Sequence, residues 1–432
     1  MLSFIDQYFG ITEKGSTLRT ELLAGVSTFL VLSYIFVVNP AILSQAGLDR
    51  SSVLFATILV SGLCTLAMGL WARLPFVLAP GMEMNAYVAY FVVGTLGLSW
   101  QQALGTVFWS GVLFVLVSAT RFRQKVIDAV PPAMKMSLSL CVAVFLALIA
   151  LRIAGVLKYD GVHVSGIGAL LGKPALVLYL GFVVAFLLDR LNVRAAVLLS
   201  VMASAGVAYA IGVQSGDKAA NVSLGMFSAV GAMDVSVVLR PAALGVILVL
   251  FLIDFYGSVA KLIGLTANTS IQEDGSVPRL NRALLVDSVG TTAAAFTGTS
   301  NITVYVESGV GIGAGGRTGL TAVACGVLML SCFAVAPFLH LIPRVATTGA
   351  LLFVAEKIRQ TAAREGAWNV VDILSATAMI VTVIASFALD RAMLAGLVVH
   401  AGESAFRRRT VNRYQLASIV LLTVGVWFQL RR

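Results

Sequence analysis

An all-α, polytopic membrane protein of fourteen transmembrane segments, built as a 7+7 inverted repeat, is the fold class this sequence predicts. Three observations carry it. The chain is 59% hydrophobic and only 12% charged over 432 residues, with mean hydropathy +0.95, a composition that no water-soluble globule of this size tolerates on its surface. Apolar stretches approaching the ~20 residues that cross a bilayer recur along almost the whole length. Short motifs also recur in the same order at offsets of about 200 to 221 residues, near half the chain, as a duplication would give.

Taken in order, residues 1–19 form a lead-in in which Asp6, Glu13, Lys14 and Arg19 alternate with Phe4, Ile5, Tyr8, Phe9 and Ile11. That pattern suits an interfacial amphipathic segment better than a cleaved signal peptide. The first half then supplies apolar runs near residues 20–43, 53–71, 76–97, 101–119, 136–153, 174–190 and 195–212. The second supplies runs near 241–265, 283–297, 302–313, 318–342, 347–356, 371–388 and 391–405, with a hydrophobic tail at 413–430. The shortest runs are where breaks or half-helices are expected.

The two halves echo each other. Leu188-Asp189-Arg190 recurs as Leu389-Asp390-Arg391, Pro131-Pro132-Ala133 as Ile342-Pro343-Arg344, Ala86-Tyr87-Val88-Ala89 as Val304-Tyr305-Val306-Glu307, and Arg19 as Arg240. Seven crossings per half is an odd number, so the second copy enters the membrane from the opposite side and the repeats are inverted.

The net charge of +10 does not call for a nucleic-acid partner. With the N-terminus cytoplasmic, nineteen Lys and Arg fall on the inner side, among them Lys14, Arg19, Arg73, Arg121, Arg123, Lys125, Arg194, Arg317, Arg407, Arg408 and Arg409. Eight fall outside: Arg50, Arg152, Lys158, Lys173, Lys218, Arg240, Arg344 and Arg391. The surplus is the positive-inside signal of a multi-pass protein in the plasma or inner membrane. Cys64, Cys141, Cys325 and Cys332 lie in apolar segments without a CxxC pair and read as buried small hydrophobes. His163, His340 and His400 make no metal-ligand spacing, so no metal and no cofactor is expected. No nucleophile–base pair is visible either, which argues against an enzyme.

Two segments are interrupted in the same way. One reads Ala79-Pro80-Gly81-Met82-Glu83-Met84-Asn85-Ala86-Tyr87, the other Gly298-Thr299-Ser300-Asn301-Ile302-Thr303-Val304-Tyr305-Val306-Glu307. Paired breaks at corresponding places in two inverted halves point to a binding site at the bilayer midplane. Extended chain there must line a protein cavity, because its free N–H and C=O groups cannot face lipid. Helices starting after Gly81 and Thr299 would aim N–H donors and positive dipole ends into that cavity. The result suits a flat molecule with hydrogen-bonding edges.

Ionisable groups inside the membrane are functional candidates by default. Glu307 and Asp254 lie near mid-depth, where desolvation disfavours the charged carboxylate, as a proton-coupled carrier requires. Either could instead serve packing alone. Ser258 and Lys261 follow Asp254 by four and seven residues on one helical face, with snorkelling towards the cytoplasm as the alternative for Lys261. Glu83 opens the third segment's helix, with a dipole-stabilising acid as its alternative reading. Asp287 is read as a structural or interfacial polar residue. Gly311-Ile312-Gly313-Ala314-Gly315-Gly316 satisfies G-x-G-x-x-G, but no strand of a soluble βαβ unit precedes it, and close helix packing is the expectation.

At these residues the chain resembles the azaguanine-type purine permeases (adenine, guanine and hypoxanthine permeases) of the nucleobase–cation symporter-2, or xanthine/uracil permease, group. The resemblance runs from about Gly15 to beyond residue 400. It is carried by Arg19-Thr20-Glu21-Leu22-Leu23-Ala24-Gly25-Val26-Ser27-Thr28-Phe29, Tyr34 through Val38-Asn39-Pro40, Ala79-Pro80-Gly81-Met82 with Asn85-Ala86-Tyr87, and Gly298-Thr299-Ser300 with Tyr305-Val306-Glu307-Ser308 and Gly315-Gly316-Arg317-Thr318-Gly319. It implies a core domain from residues 1–131 and 240–342, a gate domain from 132–215 and 343–405, and a C-terminal tail at 406–432. It also implies proton-coupled purine uptake by an elevator-like movement of core against gate. Glu307 would accept from base N–H groups, Asp254 would bind the base or carry the proton, and Asn85 would orient the third segment. Thr299, Ser300, Ser258 and Glu83 complete the expected substrate-binding set. Related carriers commonly dimerise, which leaves a homodimer open.

The chain departs from the family pattern at three places. Glu83 stands where glycine is usual, Gly257 where a second acid follows Asp254, and Ala260-Lys261 where Gly-Thr is typical. Glu83 and Lys261 are therefore expected to compensate each other as an ion pair. The alternatives are a carrier of another flat solute or an anion on the same fold, since fold does not fix function, and a non-transporting membrane sensor or scaffold.

Overall fold

The computed structural model describes residues 2–120, 132–160, 163–193, 195–213, 225–266, 269–273, 276–339, 342–364, 370–406 and 413–430. Arg121, Arg123, Lys125, Pro131, Arg194, Lys218, His340, Arg407, Arg408 and Arg409 lie outside the described residues. Within them the chain is helical apart from short strands, the fold class expected of a polytopic inverted-repeat membrane protein.

The lead-in forms α1 (Leu2–Phe9), docked on the end of the second segment. Tyr8 donates to the Leu70 carbonyl at 2.8 Å, and the Arg73 guanidinium sits 4.1 Å from the Tyr8 ring centre. The first crossing is split into α2 (Leu18–Leu32) and α3 (Ile35–Leu43) by a turn at Ser33-Tyr34, a break that the apolar run over 20–43 does not reveal. The second crossing, α4 (Arg50–Ala67), is capped by the Asp49 carboxylate on the Ser52 amide. In the third segment, β1 (Leu78–Pro80) precedes α5 (Met82–Ala86), which continues with wider, π-type winding over Tyr87–Val93. Then come α6 (Trp100–Ala119) and α7 (Pro132–Ile153). A hairpin of β2 (Leu157–Asp160) and β3 (His163–Ile167), which periodicity does not predict, leads to α8 (Lys173–Arg190) and α9 (Ala196–Ala210).

The second half repeats the plan with α10 (Pro241–Gly264), α11 (Leu280–Thr297), β4 (Ile302–Val304) and α12 (Ser308–Gly313). It closes with α13 (Gly319–Ser331), α14 (Ala336–Leu339), α15 (Thr348–Arg364), α16 (Val370–Ser386) and α17 (Leu389–Phe406). The tail is a further helix, α18 (Arg413–Leu430), lying along α10 and α17 with Leu422 fully buried. Among the described residues, four spans are long and apolar enough to cross a bilayer by themselves: Leu18–Ala46, Arg50–Ala72, Trp100–Ala119 and Pro241–Gly264.

Helix contacts are made close by small residues, as in membrane bundles generally. The glycine run after Glu307 serves this purpose. A Cβ on Gly311 would stand 2.2 Å from Thr28 Oγ1 and 3.1 Å from the Ala24 carbonyl, so α12 touches α2 backbone to backbone. The four cysteines are free and buried.

Candidate substrate-binding site

The two interrupted segments meet. β1 and β4 pair antiparallel in the register Leu78↔Val304, Ala79↔Thr303 and Pro80↔Ile302. The ladder is extended by Gly81 N to Asn301 O at 2.9 Å and Tyr305 N to Val77 O at 3.0 Å. A two-stranded ribbon has two free edges, and every free group must find a partner in the absence of water. Hydroxyls from the surrounding helices supply them. Thr65 bonds both Leu78 N (3.0 Å) and Leu78 O (3.2 Å), Ser308 accepts from Val77 N at 3.0 Å, and Ser258 accepts from Val304 N at 3.2 Å.

Antiparallel pairing sends the following helices apart, with Glu83 in the first turn of α5 and Glu307 immediately before α12. Both side chains are partly exposed. Tyr34, at the break in the first crossing, donates to Glu307 Oε1 at 2.8 Å, while Glu307 Oε2 is buried and, among the described residues, has no hydrogen-bond partner. Helix α12 begins at Ser308 rather than after Thr299, because residues 302–304 are drawn into the ribbon. Its start therefore lies beyond Glu307, whereas the start after Gly81 is where the sequence places it.

Behind the ribbon lies a fully buried polar layer. Asp254 Oδ2 is 2.9 Å from Thr291 Oγ1 and accepts from Asn301 Nδ2 at 3.2 Å. Thr291 Oγ1 is also 2.9 Å from the Ile302 carbonyl, so one hydroxyl proton faces two acceptors. Asn301 continues to Ser110 Oγ at 2.9 Å. Asp254 Oδ1 has no hydrogen-bond partner.

Four of the sequence candidates bond to other side chains of the protein in this arrangement. Ser300 donates to Asn85 Oδ1, leaving Asn85 Nδ2 unpartnered. Thr299 accepts from Asn39 Nδ2 at 2.9 Å, and Ser258 lies 3.0 Å from Thr303 Oγ1. The remaining three, Glu83, Glu307 and Lys261, are partly exposed and share one electrostatic neighbourhood with Asp254.

Among the described residues no contact within 4.0 Å joins Glu83 to Lys261. Lys261 folds back over Gly257 of its own helix, whereas the space at Gly81, before Glu83, is taken by Met84 and Thr303. Glu83 Cδ lies 3.7 Å from where a Gly81 Cβ would be, and Lys261 Nζ 3.8 Å from a Gly257 Cβ. Lys261 thus turns towards Asp254 rather than snorkelling to the helix end.

Of the two sequence readings of Asp287, structural or interfacial, its burial fits the first. It is fully buried beside Ser258, and the charge of Asp254 acts on it. Its spacing of four residues from Thr291 on α11 was the available signal, as was the presence of Asn301 within the second break. Tyr34 was visible only as part of a motif. No group of three or more metal-ligating side chains occurs among the described residues.

A family model described as the Permease family matches residues 19–395. The adenine permease AdeQ of Escherichia coli (strain K12) is 36% identical over 361 residues, 83% of this chain and 81% of that protein. The guanine/hypoxanthine permease PbuO of Bacillus subtilis (strain 168) is 32% identical over 354 residues, 80% of this chain and 82% of that protein. Among solved structures, the transmembrane domain of a cyanobacterium bicarbonate transporter, BicA, superposes with TM-score 0.63 at 15% identity, over 88% of this chain and 97% of that one. Murine Slc26a9, an anion transporter in the inward-facing state, gives TM-score 0.68 at 11% identity, over 94% of this chain and 72% of that one. At such identities these two structures speak for the fold alone.

Proposed function

The chain belongs to the xanthine/uracil permease family, and from that premise we propose that it is a secondary transporter that takes up a purine nucleobase together with a proton. Relatives that are adenine and guanine/hypoxanthine permeases support the solute class. The observation that carries the reading is the pair of carboxylates at the two helix starts beside the ribbon. Glu307 is held by Tyr34 through one oxygen and keeps the other for a ligand. A carboxylate with a free oxygen accepts hydrogen bonds from the N–H edge of a base, and Asn85 Nδ2 on α5 is a further donor that, among the described residues, has no partner.

Coupling is assigned to Asp254 with Glu307. Thr291 holds one proton for two acceptors, Asp254 Oδ2 and the Ile302 carbonyl. When Asp254 is ionised it competes with the ribbon for that proton. When Asp254 is protonated it donates to Thr291, whose own proton then serves Ile302. The protonation state of Asp254 thereby sets how firmly β4, and with it Glu307, is held.

In this reading segments 1–4 and 8–11 form a core that carries the site past a gate of segments 5–7 and 12–14, with the N-terminus cytoplasmic. Glu83, Ser258, Thr299 and Ser300 shape the pocket's walls. Radiolabelled purine uptake in a host lacking its own carriers, with and without a protonophore, tests the proposal. Protonophore-sensitive uptake that Glu307→Gln abolishes is the expected result. Well-expressed protein that moves no purine would sink it.

A further inference from the structure

We infer that Lys261 makes this site selective for 6-oxopurines over 6-aminopurines, an inference that rests on the purine reading above. The geometry starts at Gly257. A Cβ placed there would meet nothing within 4 Å except Lys261 Nζ at 3.8 Å, so the missing side chain leaves open space that the ammonium overhangs. Lys261 lies one turn further along α10, and its stem leans back towards the N-terminal end of the helix, the direction in which helical side chains naturally point.

That lean brings a cation to the carboxylates. The Lys261 charge acts on Asp254, Asp287 and Glu307. Lys261 is partly exposed and, among the described residues, forms no ion pair within 4.0 Å. An ammonium carries three donors and no acceptor. Glu307 Oε2 offers an acceptor without a protein partner. In the inferred pose this pure donor and this pure acceptor are set against the same ligand.

A flat ligand complementary to both needs an acceptor edge and a donor edge. In a 6-oxopurine the O6 and N7 atoms are acceptors, and N1–H is a donor. In adenine the 6-position carries an amino donor instead. Lys261 facing O6 and N7, with Glu307 accepting from N1–H, satisfies every partner. Adenine in the same pose sets its amino group against the ammonium and its unprotonated N1 against the carboxylate. Sites built around a hydrogen bond reject the analogue that cannot make it far more strongly than apolar pockets discriminate by size.

Competition for uptake decides the point. In a host lacking purine carriers, hypoxanthine and guanine should inhibit labelled hypoxanthine uptake at concentrations at least about tenfold below adenine. Lys261→Met should weaken hypoxanthine at least tenfold while leaving adenine equal or improved, with surface abundance confirming that the variant is made. Wild-type protein that prefers adenine overturns the assignment, and so does a Lys261→Met variant that lowers both bases equally. Wild-type protein on the surface that transports no purine overturns the underlying reading itself, so the two failures are distinguishable. Because the wild-type preference is measured independently, a variant that fails to fold leaves the inference exposed to refutation.

Discussion

Tyr34 donates to Glu307 Oε1 at 2.8 Å, joining the break in the first crossing to the break in the tenth across 273 residues of chain. The contact exists because the turn at Ser33-Tyr34 interrupts the first helix at the depth of the ribbon. It fixes the orientation of Glu307 and leaves Oε2 as the free acceptor.

Tyr34→Phe removes the hydroxyl while keeping the ring. A hydrogen bond to a charged group contributes about 1.5–3 kcal/mol. The expected outcome is a rise of roughly tenfold or more in the purine KM, read from uptake kinetics, with little change in protein abundance. An unchanged KM would show that Glu307 does not depend on Tyr34 for its pose.

Asp254→Asn keeps the shape and discards the titrating proton. The wild-type protein should accumulate purine more strongly as the outside is acidified. Asp254→Asn should lose that pH dependence and protonophore sensitivity, yet still exchange labelled for unlabelled base. Thr291→Val should weaken coupling by the same route, since it removes the hydroxyl shared by Asp254 and the Ile302 carbonyl. Accumulation by Asp254→Asn at the wild-type level would refute the assignment.

Glu21 is fully buried and accepts from Arg317 N at 2.9 Å, Thr318 N at 3.2 Å and Thr321 Oγ1 at 2.5 Å. It thereby caps the start of α13 from α2, tying the two halves together. Glu21→Ala strands those donors and should cost about 2–4 kcal/mol, seen as a lower Tm in detergent. Glu21→Gln, which keeps an acceptor oxygen, should recover part of the loss.

The tail helix makes a separate prediction, since it lies beyond residues 19–395, where the family model matches. Leu422 is fully buried on α18, which packs along the site helix α10. Leu422→Ala should lower stability by about 2 kcal/mol or more through the cavity it leaves. Thermal unfolding in detergent checks it, and a wild-type Tm would mean that α18 does not pack firmly.

Pro80-Gly81 and Gly298 through Asn301 announced the interruptions in plain sequence, because proline and glycine cannot continue a helix at those places. Glu83, Asp254, Glu307 and Lys261 stood out because charge is rare in such apolar surroundings. The spacing of Asp287 and Thr291 marked a polar face of α11, but that this face is buried was not legible. In a membrane helix the lipid-facing and protein-facing sides are both apolar, so periodicity loses its power to tell them apart.

What the sequence determined by itself was the class of structure, the inverted duplication and the residues among which a site must be sought. Composition and the positions of breaks and charges are local properties, and the bilayer leaves few ways to satisfy them. What the tertiary structure decided was which of those residues meet. The register of Leu78 with Val304 brings together groups more than 200 residues apart. Lys261 leans over the space that Gly257 leaves on its own helix, and among the described residues no contact within 4.0 Å joins it to Glu83. Distances of that kind depend on packing between distant segments, which no local pattern encodes.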